Sequence, residues 1–267
     1  MSSTTFQTSL PSWRRLSRYL VIAFYESYAE LRAESRRTYI GYLWWVVDPI
    51  ASMLVYYLVF EVVFDRGIPN YSIFLFVALV PWRWFQTTLS GGANSILHSR
   101  GVMLQVYLLK AIFPFVTFLS NTAKFLSIFV LLVVLLAVLG FPVGPPHLAL
   151  PFLLLVQALF ITSCTFIASA LTPFFPDLRI VLDNMIRLWF FLSGIFYPVS
   201  DLSPRLQSWF RLNPMATIIE AYREIMMYGR WPDFGALGSV AAVAIILNLI
   251  GLRILSHYDY VYPRLSP

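Results

Sequence analysis

Long apolar runs, separated by short basic or proline-rich loops, leave this 267-residue chain very few ways to fold. A helix needs about 20 apolar residues to cross the hydrocarbon of a bilayer. Six segments meet that need, at roughly 42–64, 71–90, 111–139, 148–171, 181–199 and 236–256. With 59% hydrophobic and only 12% charged residues, the composition lies far from that of a soluble domain. The expectation is an all-α, polytopic membrane protein in which residues 1–267 form a single transmembrane domain.

The basic residues between the runs set the orientation. Arg14, Arg15, Arg18, Arg32, Arg36 and Arg37 precede the first span, Arg100 and Lys110 follow the second, and Arg179 follows the fourth. The intervening loops "DRGIPN" and "FPVGPPHL" are short and poor in Lys and Arg. By the positive-inside rule the basic loops and both termini face the cytoplasm. The same topology accounts for the net charge of +6, and the arginines form no stripe of the kind that binds nucleic acid. The third segment exceeds the required length, so it tilts or leaves the turns around 120–124 among headgroups. Lys124 is then expected to snorkel.

The first residues do not read as a signal peptide. The core "YLVIAFY" is short, is followed by Glu26, Glu30 and Glu34, and lacks a small-residue cleavage site. Trp13, Leu16, Leu20, Phe24, Tyr28 and Leu31 recur at helical spacing behind Ser12. Residues 11–35 are therefore expected as a helix lying in the interface plane.

Beyond the fifth span comes "SGIFYPVSDLSPRLQSWFRLNPMATIIEAYR" (193–223). Ser203-Pro204 and Asn213-Pro214 each set a capping side chain ahead of a proline, which starts a helix without losing a needed N–H. One helix presents Leu206, Trp209 and Phe210, the other Met215, Ile218, Ile219, Tyr222, Ile225 and Met226, before Gly229 ends it. Acids including Glu220 and bases including Arg223 nearly balance. Residues 200–229 thus form a re-entrant hairpin on the outer side, tolerated at membrane depth where protein or a water-filled conduit satisfies its backbone.

Several chemistries find no support. There is no G-x-x-x-x-G-K-[ST] phosphate loop, no H-E-x-x-H, and no dinucleotide fingerprint. His98, His147 and His257 are scattered, and Cys164 has no disulfide partner in the chain. No cluster of carboxylates suggests a lipid-sugar enzyme, and no internal repeat suggests an ion-coupled transporter. No catalytic residue, metal site or cofactor is expected on this chain. Among intramembrane ionisable groups, Asp183 and Arg187 are spaced to pair, Asp48 ahead of Pro49 reads as a helix cap, and Glu61 reaches the headgroups. Aromatic residues crowd the first and fifth spans: Tyr39, Tyr42, Trp44, Trp45 and Tyr56 in one, Phe190, Phe191 and Tyr197 in the other. Interfacial belts explain many of these. The deeper ones suit sugar faces, and the expectation is that these two spans line a glycan path.

"RRTYIGYLWWVVDPI" (36–50), "FVALVPWRWFQTTLSGGANSILHSRGVMLQVYLLKAIFP" (76–114) and residues 174–233 together resemble the membrane subunit of type-2 ABC exporters of lipid-linked polysaccharides such as O-antigen, capsule or teichoic acid. The resemblance runs from residue 36 to 235. It implies six helices per subunit in a bacterial cytoplasmic (inner) membrane, a homodimer around a channel, and two copies of a separate cytoplasmic ATPase carrying ATP and Mg. It also implies that the first helix, with Arg14, Arg15 and Arg18, and the loop 91–110, with Asn94 and His98, face that ATPase. The hairpin, through Pro204, Trp209, Phe210, Asn213, Pro214, Glu220 and Arg223, corresponds to an outer gate. Arg36, Arg37, Arg100 and Lys110 are placed to attract the pyrophosphate headgroup. This chain departs from the family in carrying Leu108-Leu109-Lys110 where relatives usually have Phe-Pro-Arg, and Gly194 where a proline is frequent. An exporter of a lipo-oligosaccharide or drug is the alternative.

Overall fold

A computed structural model describes residues 12–36, 39–59 and 70–265, with side chains from Tyr19 onward. The described residues are helical or irregular and contain no strand. Helix α1 spans Ser12–Arg36, α2 Trp44–Tyr57, α3 Tyr71–His98, α4 Arg100–Gln105, α5 Ile112–Val138 and α6 Leu150–Leu171. They are followed by α7 at Leu178–Phe191, α8 at Pro204–Arg211, α9 at Pro214–Met226, α10 at Phe234–His257 and α11 at Tyr262–Leu265.

The centre of the molecule is α3. Its run from Tyr71 to Trp82 is apolar on every side and almost wholly buried, which is what a helix without a polar face must be. Around it pack α2, α5, α6, α7 and α9. Among the described residues three helical stretches are long and apolar enough to cross a membrane: 112–138, 145–171 and 234–257. Val130, Leu155 and Leu249 on these helices stay exposed, as side chains facing hydrocarbon do. Small residues bring the helices close. A Cβ on Gly92 would overlap Thr165 Cγ2, and one on Gly251 would lie 2.9 Å from Phe166 Cβ, so α6 is held between α3 and α10 at backbone-contact range.

Two expectations are corrected. Residues 91–98 are not loop: α3 continues to His98, because Gly92, Ala93 and Ser95 are buried and extend the packing by two turns. The fifth apolar segment is helical only to Phe191. Gly194 then adopts φ +66°, and the chain from 192 to 198 is irregular. Helix α2 is described from Trp44 to Tyr57 and the chain stays helical through 59; Glu61 lies outside the described residues.

Helix α1 is turned opposite to a soluble amphipathic helix. Ala23 and Ser27 are buried against α5, while Leu20, Phe24 and Tyr28 of its apolar stripe are exposed. Two glutamates make the attachment: Ser120 Oγ donates to Glu30 Oε2 at 2.7 Å, and Lys124 pairs with Glu34. Lys124 therefore does not snorkel to headgroups but reaches an acid one helix away. The side chains of Arg14, Arg15 and Arg18 lie outside the described residues.

Candidate functional site

A cleft of about 460 Å³ opens between the end of α1 and helices α2, α3 and α5. Three indoles line it, those of Trp44, Trp45 and Trp84, along with four charged groups in two pairs. Arg83 of α3 pairs with Asp48 of α2 and donates from Nη1 to Ser52 Oγ at 3.0 Å. Glu34 pairs with Lys124 and accepts from Trp45 Nε1 at 3.4 Å, while the Lys124 ammonium sits 5.7 Å from the Trp45 ring. Trp84 stacks on Phe125 at 4.2 Å and donates to Thr122 Oγ1 at 3.1 Å. Such a wall offers flat apolar faces beside fixed donors and acceptors, a surface suited to a polar, hydroxyl-rich or phosphate-bearing group. Asp48 is consequently no cap: it stands inside α2, and its carboxylate is held by Arg83. Arg83 is a site residue that the sequence reading passed over, although an arginine inside the apolar run "VPWRWF" is itself the signal. Asp183 is likewise not paired with Arg187; it accepts from Ser90 Oγ at 2.7 Å, because α3 packs against α7 and supplies a nearer donor.

The aromatic residues of the glycan path fall into two groups. Tyr39 and Trp44 are exposed and Tyr42 meets Trp45 edge-on at 4.8 Å, all at the cleft end of α2. Farther along, Tyr56 of α2 lies 5.6 Å from Phe190 of α7 and 5.1 Å from Phe196. Phe191 stacks near Phe196 at 5.5 Å, and Tyr197 meets Phe210 at 5.8 Å. The two expected lining segments thus come together around the irregular stretch 192–198.

That stretch exposes carbonyls that a helix would have satisfied, and side chains from elsewhere take them one by one. Asn213 Nδ2 donates to Leu192 O at 2.8 Å. Arg223 donates to Gly194 O at 2.7 Å and to Ile195 O at 2.8 Å. Tyr71 Oη donates to Phe196 O at 3.1 Å. Asn213 also caps α9, accepting from Met215 N at 3.0 Å, and takes the Trp189 indole N–H at 2.8 Å. Ser203 sits at the corresponding position before Pro204 but makes no side-chain cap bond. Arg223 is 1% exposed, stacked 3.4 Å from the Phe74 ring and 3.8 Å from Glu220. It is a buried fastener between α9 and the stretch 192–198. On α8, Trp209 is exposed and Phe210 half-buried.

The remaining candidates lie at the other end. Arg36 is exposed, Arg37 lies outside the described residues, and Arg100 is half-buried. Lys110 is not available to a headgroup: it is 2% exposed, with Nζ 3.7 Å from Asp259 and 4.6 Å from the Tyr107 ring. Asp259 also accepts from Lys110 N at 2.9 Å and Tyr107 Oη at 2.7 Å. The C-terminal tail thereby clasps the segment between α4 and α5. Burial, with Tyr260 and Asp259 adding to it, pushes the Tyr107 hydroxyl well above its ordinary pKa. Asn94 donates to Ser90 O at 3.0 Å within α3, and exposed His98 ends that helix. His98, Glu26 and Glu30 border a second hollow of about 330 Å³ between α1, α3 and α5.

Residues 27–227 match the profile of the ABC-2 type transporter family. The O-antigen export system permease protein RfbA of Myxococcus xanthus is 35% identical over 224 residues, 82% of this chain and 85% of that protein. The RfbA of Klebsiella pneumoniae is 28% identical over 241 residues, covering 88% and 91%. The polysialic acid transport protein KpsM of Escherichia coli is 25% identical over 232 residues, covering 84% and 88%.

Proposed function

Since the chain belongs to the ABC-2 type transporter family, we propose that it is the permease subunit of an exporter that carries a lipid-linked polysaccharide across the bacterial inner membrane. The relatives named for O-antigen export and polysialic acid transport support this substrate class over nearly the whole chain. The observation that carries the reading is the meeting of Tyr56 with Phe190 and Phe196 beside a non-helical stretch roofed by α8 and α9. Aromatic faces give contact without fixing one orientation, and a polymer can slide along them.

In this reading six passes place both termini in the cytoplasm and the hairpin α8–α9 outside. Two copies of the chain enclose the path, and two copies of a cytoplasmic ATPase bind ATP and Mg and supply the work. Arg36, Arg100 and the Trp-lined cleft with Arg83 receive the headgroup from the inner leaflet, since guanidinium forks match phosphate oxygens. Motion of the ATPases reaches the bundle through α1 and the end of α3. The test is deletion of the gene in its host. The expected outcome is loss of surface polysaccharide with accumulation of the lipid-linked polymer inside, restored by the wild-type gene. Unchanged surface polysaccharide rejects the reading.

A further inference from the structure

We propose that the hollow between α8, α9 and the start of α10 is a sugar-binding subsite on the exit face, where one hydroxyl-rich unit of the emerging glycan rests against Trp231. This rests on the exporter reading above. The hollow holds about 470 Å³, within the range of about 300–1,000 Å³ of small-molecule sites. Its walls include Gln207, Arg211, Glu220, Glu224, Trp231 and Asp233.

Three observations select a sugar. Trp231 is 53% exposed, with the ring of Phe234 at 6.0 Å, so an indole face remains open to a flat apolar partner. The charges beside it are fixed and balanced. Glu224 is held by Arg230 at 2.8 Å, Asp233 Oδ1 accepts from Ala236 N at 3.0 Å, and Glu220 lies 3.8 Å from Arg223, while Arg211 is exposed. A metal cation needs several oxygens converging on one point, and these carboxylates are committed to separate partners. A free anion would meet three carboxylates. Hydroxyls, which both donate and accept, fit such a mixture. Finally, Glu220 keeps 36% of its side chain exposed on the wall of the hollow, where a carboxylate oxygen can accept from a ligand hydroxyl. The location agrees: α9 is fastened to the stretch 192–198 by Asn213 and Arg223, so the hollow borders the way out.

Saturation-transfer NMR on the full chain in lipid nanodiscs tests this, with methyl glycosides of glucose, mannose and galactose as probes. Transfer to at least one glycoside is expected, reduced about fivefold or more by Trp231→Ala and retained by Trp231→Phe, because the contact is with the ring face. Glu220→Gln, which keeps the size of the side chain, is expected to weaken the same signal. An unchanged thermal melt for Trp231→Ala separates loss of binding from loss of fold. Absence of transfer to every glycoside, or transfer that survives Trp231→Ala, overturns the subsite. Normal export by Trp231→Ala cells alongside failed export in the deletion strain rejects the subsite and leaves the exporter reading standing; normal export in the deletion strain removes the reading itself.

Discussion

The guanidinium of Arg223 stands 2.7 Å from the carbonyl oxygen of Gly194, 29 residues earlier in the chain. With Ile195 O at 2.8 Å and the ring of Phe74 at 3.4 Å, this contact fixes the place where α7 stops. A lysine has no planar fork to span two carbonyls while lying flat on a ring. Arg223→Lys is expected to lower stability by about 1.5–3 kcal/mol, the scale of hydrogen bonds to a charged group. A thermal melt in detergent measures it, and faster chymotryptic cleavage after Phe196 reports that the fault is local.

Asn213 joins three elements through one side chain, and its losses are expected not to add. Asn213→Ala removes the α9 cap, about 1 kcal/mol, together with the bonds to Trp189 and Leu192. Trp189→Phe removes only the first of these bonds. The double variant is expected to be little worse than Asn213→Ala alone, since both act on one network; a fully additive result in the melt would show that the two contacts are independent.

Lys110 and Asp259 form a buried pair. Removing one charge leaves the other without compensation, a loss of about 3–5 kcal/mol, whereas replacing both with uncharged groups of similar size is often close to neutral. Asp259→Asn is therefore expected to be the more damaging change, and Lys110→Met combined with Asp259→Asn to recover much of the loss. Yield of folded protein in detergent and the melting midpoint read both outcomes.

Gly92 faces Thr165 with no room for a methyl group. Gly92→Ala is expected to destabilise by about 1–3 kcal/mol through overpacking, and Thr165→Ala in the same chain to restore part of it. Failure of the second change to help would mean that α3 and α6 do not meet in this way.

The tie between α1 and α5 depends on charge order. Lys124→Glu is expected to loosen α1, and the exchanged pair Glu34→Lys with Lys124→Glu to restore it in part, a change of about 0.2–1 kcal/mol for a partly exposed ion pair. A thermal melt in detergent reads both, with the midpoint falling in the single variant and recovering in the exchanged one.

Much of the helical order is legible in the sequence because apolar length and proline or glycine punctuation are local. Asn213-Pro214 starts α9 as its chemistry demands, and Gly229, at φ +62°, lies just beyond that helix. Partners are not local. Nothing around Lys110 distinguishes a headgroup ligand from a buried cation, for the deciding acid lies 149 residues away. Asp48 looks like a cap until Arg83 is brought alongside. The spacing of Leu20, Phe24 and Tyr28 fixes a face of α1 but not its direction, since in a bilayer an apolar face can turn outward as well as inward. The unwinding after Phe191 is written in Gly194 and Pro198, yet apolar content alone runs straight through them.

Helix α1 carries its greasy side away from the bundle and grips α5 with two glutamates. Rolling it about its long axis would tear those grips, so a push on the exposed ring of Phe24 is passed to Lys124 and, beside it, Trp45. Whatever bears on that outward face is therefore felt at the cleft, several turns away from the side chains it touches.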